Sequence, residues 1–167
     1  MFAMGSRLKN LCEESGVPFI LNDRLDMAVA VDADGVHLGQ NDLPTRTASK
    51  LLPLNMLIGC STANLEEAFA AQAEGADYIA VGSIYPAGSK ADTRTAGLET
   101  LRRIKAQTPL PVVAIGGING ENIADVMDAG ADVAAVIGAV LGVDDVQSAV
   151  RELVAVIARC PNAEGLS

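Results

Sequence analysis

The sequence predicts an α/β fold built on a parallel sheet of about six strands, and three observations predict it. Short apolar runs alternate with helix-period segments along nearly the whole chain, the pattern of right-handed βαβ units. Gly-Ala-Asp precedes an apolar run at Gly75-Ala76-Asp77 and again at Gly130-Ala131-Asp132, with Ala33-Asp34-Gly35 as a looser copy. Each copy marks a helix stop, a tight turn and a buried strand. Polar and glycine residues gather after the C-terminal ends of the runs. Ligands bind at that end both in closed (β/α)8 barrels and in open doubly wound sheets. Periodicity alone leaves these two architectures open.

Taken in order, residues 6–15 read as a helix, because Leu8, Leu11 and Cys12 share a face and Gly16 stands at a C-cap position. Residues 18–21 are a strand ending in Asn22-Asp23, and 25–31 a short helix. Residues 35–38 are a strand ending in Gly39-Gln40-Asn41-Asp42. Pro44 opens a helix to about residue 52, at an early position where proline is tolerated. Residues 56–59 form a strand followed by Cys60-Ser61-Thr62. Asn64 caps a helix that stops at Glu74-Gly75. The run 78–81 is a buried strand, and the long loop GSIYPAGSKADT (residues 82–93) follows it. A helix spans about 98–106, and 112–115 is a strand ending in Gly116-Gly117. Asn119 or Asn122 starts a helix that stops at Ala129-Gly130. Residues 133–137 form a strand ending at Gly138, and 143–158 a closing helix. The tail beyond Pro161 is expected to fray.

The 167 residues fit one domain, and a hydrophobic half rich in small and branched side chains suits strands buried on both faces. No apolar run is long enough to span a bilayer, and the N-terminus lacks the pattern of a signal peptide. The odd, widely spaced Cys12, Cys60 and Cys160 have no metal or redox spacing, which fits a reduced, cytoplasmic setting. A net charge of −9 argues against nucleic acid and anionic membrane as partners. An anionic ligand would then need local compensation from lysines, backbone N–H groups or a metal.

The loop at 82–93 is the strongest candidate for such a site. It sets Ser89 beside Lys90 among residues, Gly88 included, that let a ligand approach backbone. Asp23 and Asp42 follow neighbouring strands; they could share a cation such as magnesium, or cap the helices that follow them. Ser61 and Thr62 could bind a phosphate or cap a helix. Gly116-Gly117 and Ile137-Gly138 could hold a phosphate on backbone N–H groups, or only ease turns. Tyr85 could stack on a ring or pack its loop. His37, inside a strand, reads as a satisfied rim histidine and is assigned no catalytic role.

Together these pieces resemble the thiamine phosphate synthase family. They are Asn22-Asp23, HLGQND at 37–42, Gly59-Cys60-Ser61, GSIYPAGSKADT at 82–93 and AIGGI at 114–118. The resemblance runs from about residue 17 to 158. It implies a (β/α)8 TIM-barrel fold and a transferase that joins 4-amino-2-methyl-5-pyrimidinylmethyl diphosphate to thiazole phosphate. The products would be thiamine phosphate and pyrophosphate, by a dissociative, Mg2+-assisted route. Residue by residue, Asp23 and Asp42 resemble the metal ligands, and Asn22, Ser61 and Lys90 the groups holding the diphosphate, with Lys90 and Ser61 catalytic. Ala87, Gly88 and Ser89 align with the loop touching the thiazole phosphate, and Gly117, Ile137 and Gly138 with that phosphate's backbone site.

Departures from the family pattern accompany the resemblance. Nothing matches the Gln-x-Arg-x-Lys strand before the first helix, so the expectation is an N-terminally truncated, incomplete barrel of about six strands over residues 1–167. Its unpaired sheet edges would leave a homo-oligomer open to it. Ala87 stands where a threonine is frequent, and Gly138 where a serine is. Two alternative functions are an inactive or phosphate-binding remnant and the related thiazole tautomerase, which would not need both carboxylates or Lys90.

Overall fold

A computed structural model describes residues 1–86 and 95–160. The elements alternate throughout: α1 (Phe2–Glu14), β1 (Ile20–Asn22), α2 (Leu25–Ala30), β2 (Gly35–Leu38), α3 (Thr45–Leu51), β3 (Leu57–Thr62), α4 (Leu65–Glu74) and β4 (Tyr78–Gly82). There follow α5 (Gly97–Lys105), β5 (Val112–Ile115), α6 (Ile123–Asp128), β6 (Val133–Ala135), α7 (Gly138–Leu141) and α8 (Val146–Ile157). The six strands form one sheet in the order β1-β2-β3-β4-β5-β6. Strands that neighbour each other in strict chain order are those of a (β/α)8 barrel. A doubly wound sheet instead reverses order at a switch point. Strand β1 runs parallel to β2, β2 to β3, and β5 to β6.

Two compact units make up the chain: Met1–Ser61 with Ala70–Ile79, and Thr62–Phe69 with Ala80–Ser167. The first has a core of Ala28, Val31, Ala33, Val36, Leu38, Ala48, Leu52, Met56 and Ile58, with Phe19, Leu21, Leu25 and Met27 packed on it. In the second, α5 buries Leu101 and Ile104 completely and turns Glu99, Arg102 and Arg103 outward, the apolar stripe of an amphipathic helix.

The Gly-Ala-Asp echo has a physical cause. Gly75 and Gly130 adopt φ of +97° and +95° just past their helices. The following alanine N–H reaches back to the helix, Ala76 to Ala71 and Ala131 to Val126, closing a Schellman turn. The aspartate then ties two strands together at their N-terminal ends. Asp77 donates its N–H to the Ile58 carbonyl at 2.8 Å and accepts the Ile58 N–H on Oδ2 at 2.8 Å. Asp132 does the same with Val112, at 2.9 and 2.7 Å. The looser copy works identically, with Asp34 on Phe19 at 2.9 and 2.7 Å. There Asp32, at φ +54°, takes the position that glycine holds in the other two. Lys9 and Lys105 add ion pairs to Asp34 and Asp132. The Lys9 hydrogen bond, helped by the Phe19 N–H, holds the Asp34 carboxyl below its usual range.

Several expected boundaries shift. α1 begins four residues early, at Phe2. β1 includes Asn22, and β3 runs on through Ser61 and Thr62, so these three residues lie within strand ends and not beyond them. β6 stops at Ala135, two residues short of the expected end, and Ile137 instead caps the short α7. The closing helix starts at Val146, because Asp145 caps it by accepting the Ser148 N–H at 2.9 Å. No helix among the described residues is long and apolar enough to cross a membrane.

Candidate active site

In the first unit the candidate residues converge at the C-terminal ends of β1, β2 and β3. Parallel register sets Asn22 beside His37 and His37 beside Gly59. Glycine at 59 leaves a gap on the sheet, and His37 reaches across it to Tyr78. The two rings stack with centroids 5.6 Å apart, and His37 Nδ1 lies 3.1 Å from the Tyr78 hydroxyl. A Cβ at Gly59 would strike the Tyr78 ring and come within 2.6 Å of His37 Nδ1. On its other side His37 Nε2 lies 2.9 Å from Ser61 Oγ. Burial pulls the His37 pKa down, against the opposing charges of Asp23 and Asp42.

Asp23 does not cap α2, whose N-cap is Arg24 with no side-chain cap bond, and α3 is capped by Pro44, not Asp42. Instead Asp23 sits at the apex of a tight turn: Arg24 donates its N–H to the Asn22 carbonyl at 2.8 Å, with Asp23 at φ +64°. This positive-φ γ-turn is rare and strained, and such strain concentrates at functional sites. Asp42 folds its carboxylate back onto the loop, where Oδ2 accepts the Gly39 N–H at 2.7 Å. Gln40 donates to the Ser61 carbonyl at 2.6 Å. The segment 37–42 therefore grips Ser61 twice, His37 at the hydroxyl and Gln40 at the backbone.

Asp23 and Asp42 follow the adjacent strands β1 and β2, and carboxylate oxygens of this kind, completed by water and phosphate oxygens, are ligands that magnesium accepts. Among the described residues no group of three or more His, Cys, Asp or Glu could hold a metal. A site that draws on protein ligands alone is thus not what these donors offer.

The second unit carries a concavity of about 370 Å³, lined by Gly116, Gly117, Ile137 and Gly138 with Pro86 and Asn119 at its wall. Gly116 and Gly117 have φ of +103° and +66°. Side chains there would also collide with residues 83–86: a Cβ on Gly117 would lie 2.8 Å from Tyr85 Cβ. Asn122 pins this turn, donating to the Gly117 carbonyl at 3.0 Å and accepting the Asn119 N–H at 2.8 Å. Around Gly138 there is open space, so the glycine is not forced there by packing.

The family described as thiamine monophosphate synthase matches residues 1–140. The chain belongs to the thiamine monophosphate synthase family. A thiamine-phosphate synthase from Moorella thermoacetica is 48% identical over 157 residues, covering 93% of this chain and 75% of that protein. One from Chloroflexus aurantiacus is 50% identical over 151 residues, covering 90% and 69%. The solved thiamine phosphate pyrophosphorylase from Pyrococcus furiosus aligns at 44% identity with a TM-score of 0.90, over 96% of this chain and 77% of that one. With the strand order, this makes the fold an α/β TIM-barrel type with six strands among the described residues, and the family is one of enzymes.

For a thiamine monophosphate synthase family member, the sequence singles out most of the residues that the fold gathers. Asn22, Asp23, Asp42 and Ser61 come together at one set of strand ends in the first unit. Gly117, Ile137 and Gly138 line one concavity in the second. Ala87, Gly88, Ser89 and Lys90 lie outside the described residues. Tyr85 packs against Gly117, and its buried hydroxyl has no hydrogen-bond partner among the described residues. Three contributors are assigned no site role from the sequence: Tyr78, Gln40 and Asn122. Gln40 leaves a signal in its place inside the HLGQND motif, and Asn122 leaves one as a candidate helix start, which the structure makes the N-cap of α6.

Proposed function

We propose that this chain joins a pyrimidinylmethyl diphosphate to a thiazole phosphate, releasing pyrophosphate and giving thiamine phosphate. The observation that carries the proposal is the placing of Asp23 and Asp42 beyond adjacent strands, Asp23 at a strained apex, with both charges acting on His37. Neither residue is the N-cap of the helix that follows it, and Asp42 also accepts the Gly39 N–H within its own loop.

In this reading Asp23 and Asp42 hold magnesium, and Asn22, Ser61 and Lys90 hold the diphosphate. Magnesium, when bound, neutralises charge that builds on the departing diphosphate. The reaction is dissociative. The bond between the methylene carbon and the diphosphate oxygen breaks first, and its electrons leave with pyrophosphate. The thiazole nitrogen then donates its lone pair to the pyrimidinylmethyl cation. Such a path needs positioned charge and hydrogen-bond donors at the leaving group more than it needs a base. Gly117, Ile137 and Gly138, with Ala87, Gly88 and Ser89, are assigned to the thiazole phosphate. The 370 Å³ concavity lined by the first three supports that assignment.

The test is a pyrophosphate-release assay with both substrates and magnesium. Asp23→Asn and Asp42→Asn should each lower kcat by roughly 10²–10³, as loss of one electrostatic contact at a transition state does. Chelation of the metal should abolish turnover of the parent chain. Full activity in both variants would overturn the assignment.

A further inference from the structure

His37 is the chain's single histidine, and both of its ring nitrogens are engaged. Its Nδ1 meets a phenol and its Nε2 a serine hydroxyl. Ring stacking on Tyr78 and the side-chain-free face of Gly59 fix where the imidazole lies. The Ser61 backbone is fixed as well, by Gln40. A serine hydroxyl has a single hydrogen to donate. If that hydrogen were spent on His37 Nε2, the oxygen could only accept, and an anionic ligand has nothing to give it. For Ser61 to donate to an anion, Nε2 must carry the imidazole proton. In the neutral imidazole Nδ1 is then the acceptor, and it needs a donor of its own. The Tyr78 hydroxyl, 3.1 Å away, is that donor.

We propose that Tyr78 and His37 are positioning residues that act through Ser61. The phenol donates to Nδ1, Nε2–H donates to Ser61 Oγ, and the Ser61 O–H is left directed at an anionic oxygen of the diphosphate. This inference rests on Ser61 binding the diphosphate, as in the proposed function. A phenol keeps its proton at neutral pH, and burial pushes that of Tyr78 further up, to about 12. Tyr78 and Ser61 meet opposite nitrogens of one imidazole, so the phenol influences the serine by fixing the tautomer.

Two experiments on the full chain test it. With one histidine, ring-nitrogen NMR on 15N-labelled protein reads a single imidazole. The expected spectrum shows a protonated Nε2 and a bare Nδ1; Tyr78→Phe should move the Nδ1 resonance and Ser61→Ala the Nε2 resonance. A proton on Nδ1 overturns the proposal without reference to turnover. The second experiment is a double-mutant cycle on pyrophosphate release, with thermal unfolding followed to confirm that each variant folds. Tyr78→Phe, which keeps the stacked ring, should lower kcat roughly five- to tenfold through loss of one directed hydrogen bond. In a Ser61→Ala background the same change should have no further effect. Multiplying losses, with Ser61→Ala slow on its own, would overturn the relay and leave the Ser61 assignment standing. A Ser61→Ala variant at full rate would overturn the Ser61 assignment itself, and the relay with it.

Discussion

At the scale of single residues, the site depends on what is absent at position 59 as much as on what is present at 37. Gly59 separates two residues whose rings must meet, and a methyl there would occupy the space of the Tyr78 ring. Gly59→Ala should therefore destabilise the fold by about 1–3 kcal/mol through overpacking, seen as a lower urea midpoint at unchanged slope. An unchanged midpoint would mean that the stacked pair yields easily. Asp23 and Asp32 make an instructive contrast. Both are aspartates in the left-handed region, at φ +64° and +54°. Asp32 has a structural account, since it ends α2 as Gly75 ends α4. Asp23 ends no helix and caps none, and its strain falls at the mouth of the candidate site, where strain accompanies function.

At the scale of elements, one device recurs: an aspartate at the start of a strand grips the start of the strand before it. In a parallel sheet an N–H near the start of a strand is easily left without an acceptor, and a buried unsatisfied N–H is expensive. Asp77 supplies that acceptor for Ile58, itself only 4% exposed. Asp77→Ala should cost about 1–3 kcal/mol in chemical denaturation, because the Ile58 N–H is orphaned. Asp77→Asn keeps an oxygen in place and should lose about 1 kcal/mol or less. Equal losses in the two variants would show that charge, and not the acceptor, is what matters. The device also explains why so short a motif was legible. Turn, buried alanine and acceptor must follow one another at fixed spacing, so the chemistry is written locally.

At the scale of the whole molecule, the net charge of −9 would work against the anionic substrates of the proposed function. Long-range repulsion should slow their approach, while short-range donors hold them once bound. Salt screens the first effect more than the second, with a screening length of about 8 Å at 0.15 M. We expect kcat/KM for the diphosphate, at constant free magnesium, to rise roughly two- to fivefold between low ionic strength and 0.15 M. A steep fall over that range would reveal a positive local field that outweighs the total charge.

The α/β class, the six strands, the helix stops and most candidate residues follow from local patterns, because capping, turn geometry and burial act over a few residues. Where that reading erred, hydrophobicity misled it. Ser61 and Thr62 are polar yet belong to β3, since the imidazole of His37 and the Ala80 carbonyl satisfy them. Ile137 is apolar yet 66% exposed, lining a concavity beyond the end of β6. Local patterns left a barrel and a doubly wound sheet open; the family resemblance implied the barrel, and the strand order of the tertiary structure agrees with it. Tertiary structure alone brought together His37, Ser61 and Tyr78, the last two lying 24 and 41 residues from the histidine along the chain. Such meetings are set by register across parallel strands and by the crossovers between them. No local propensity encodes them.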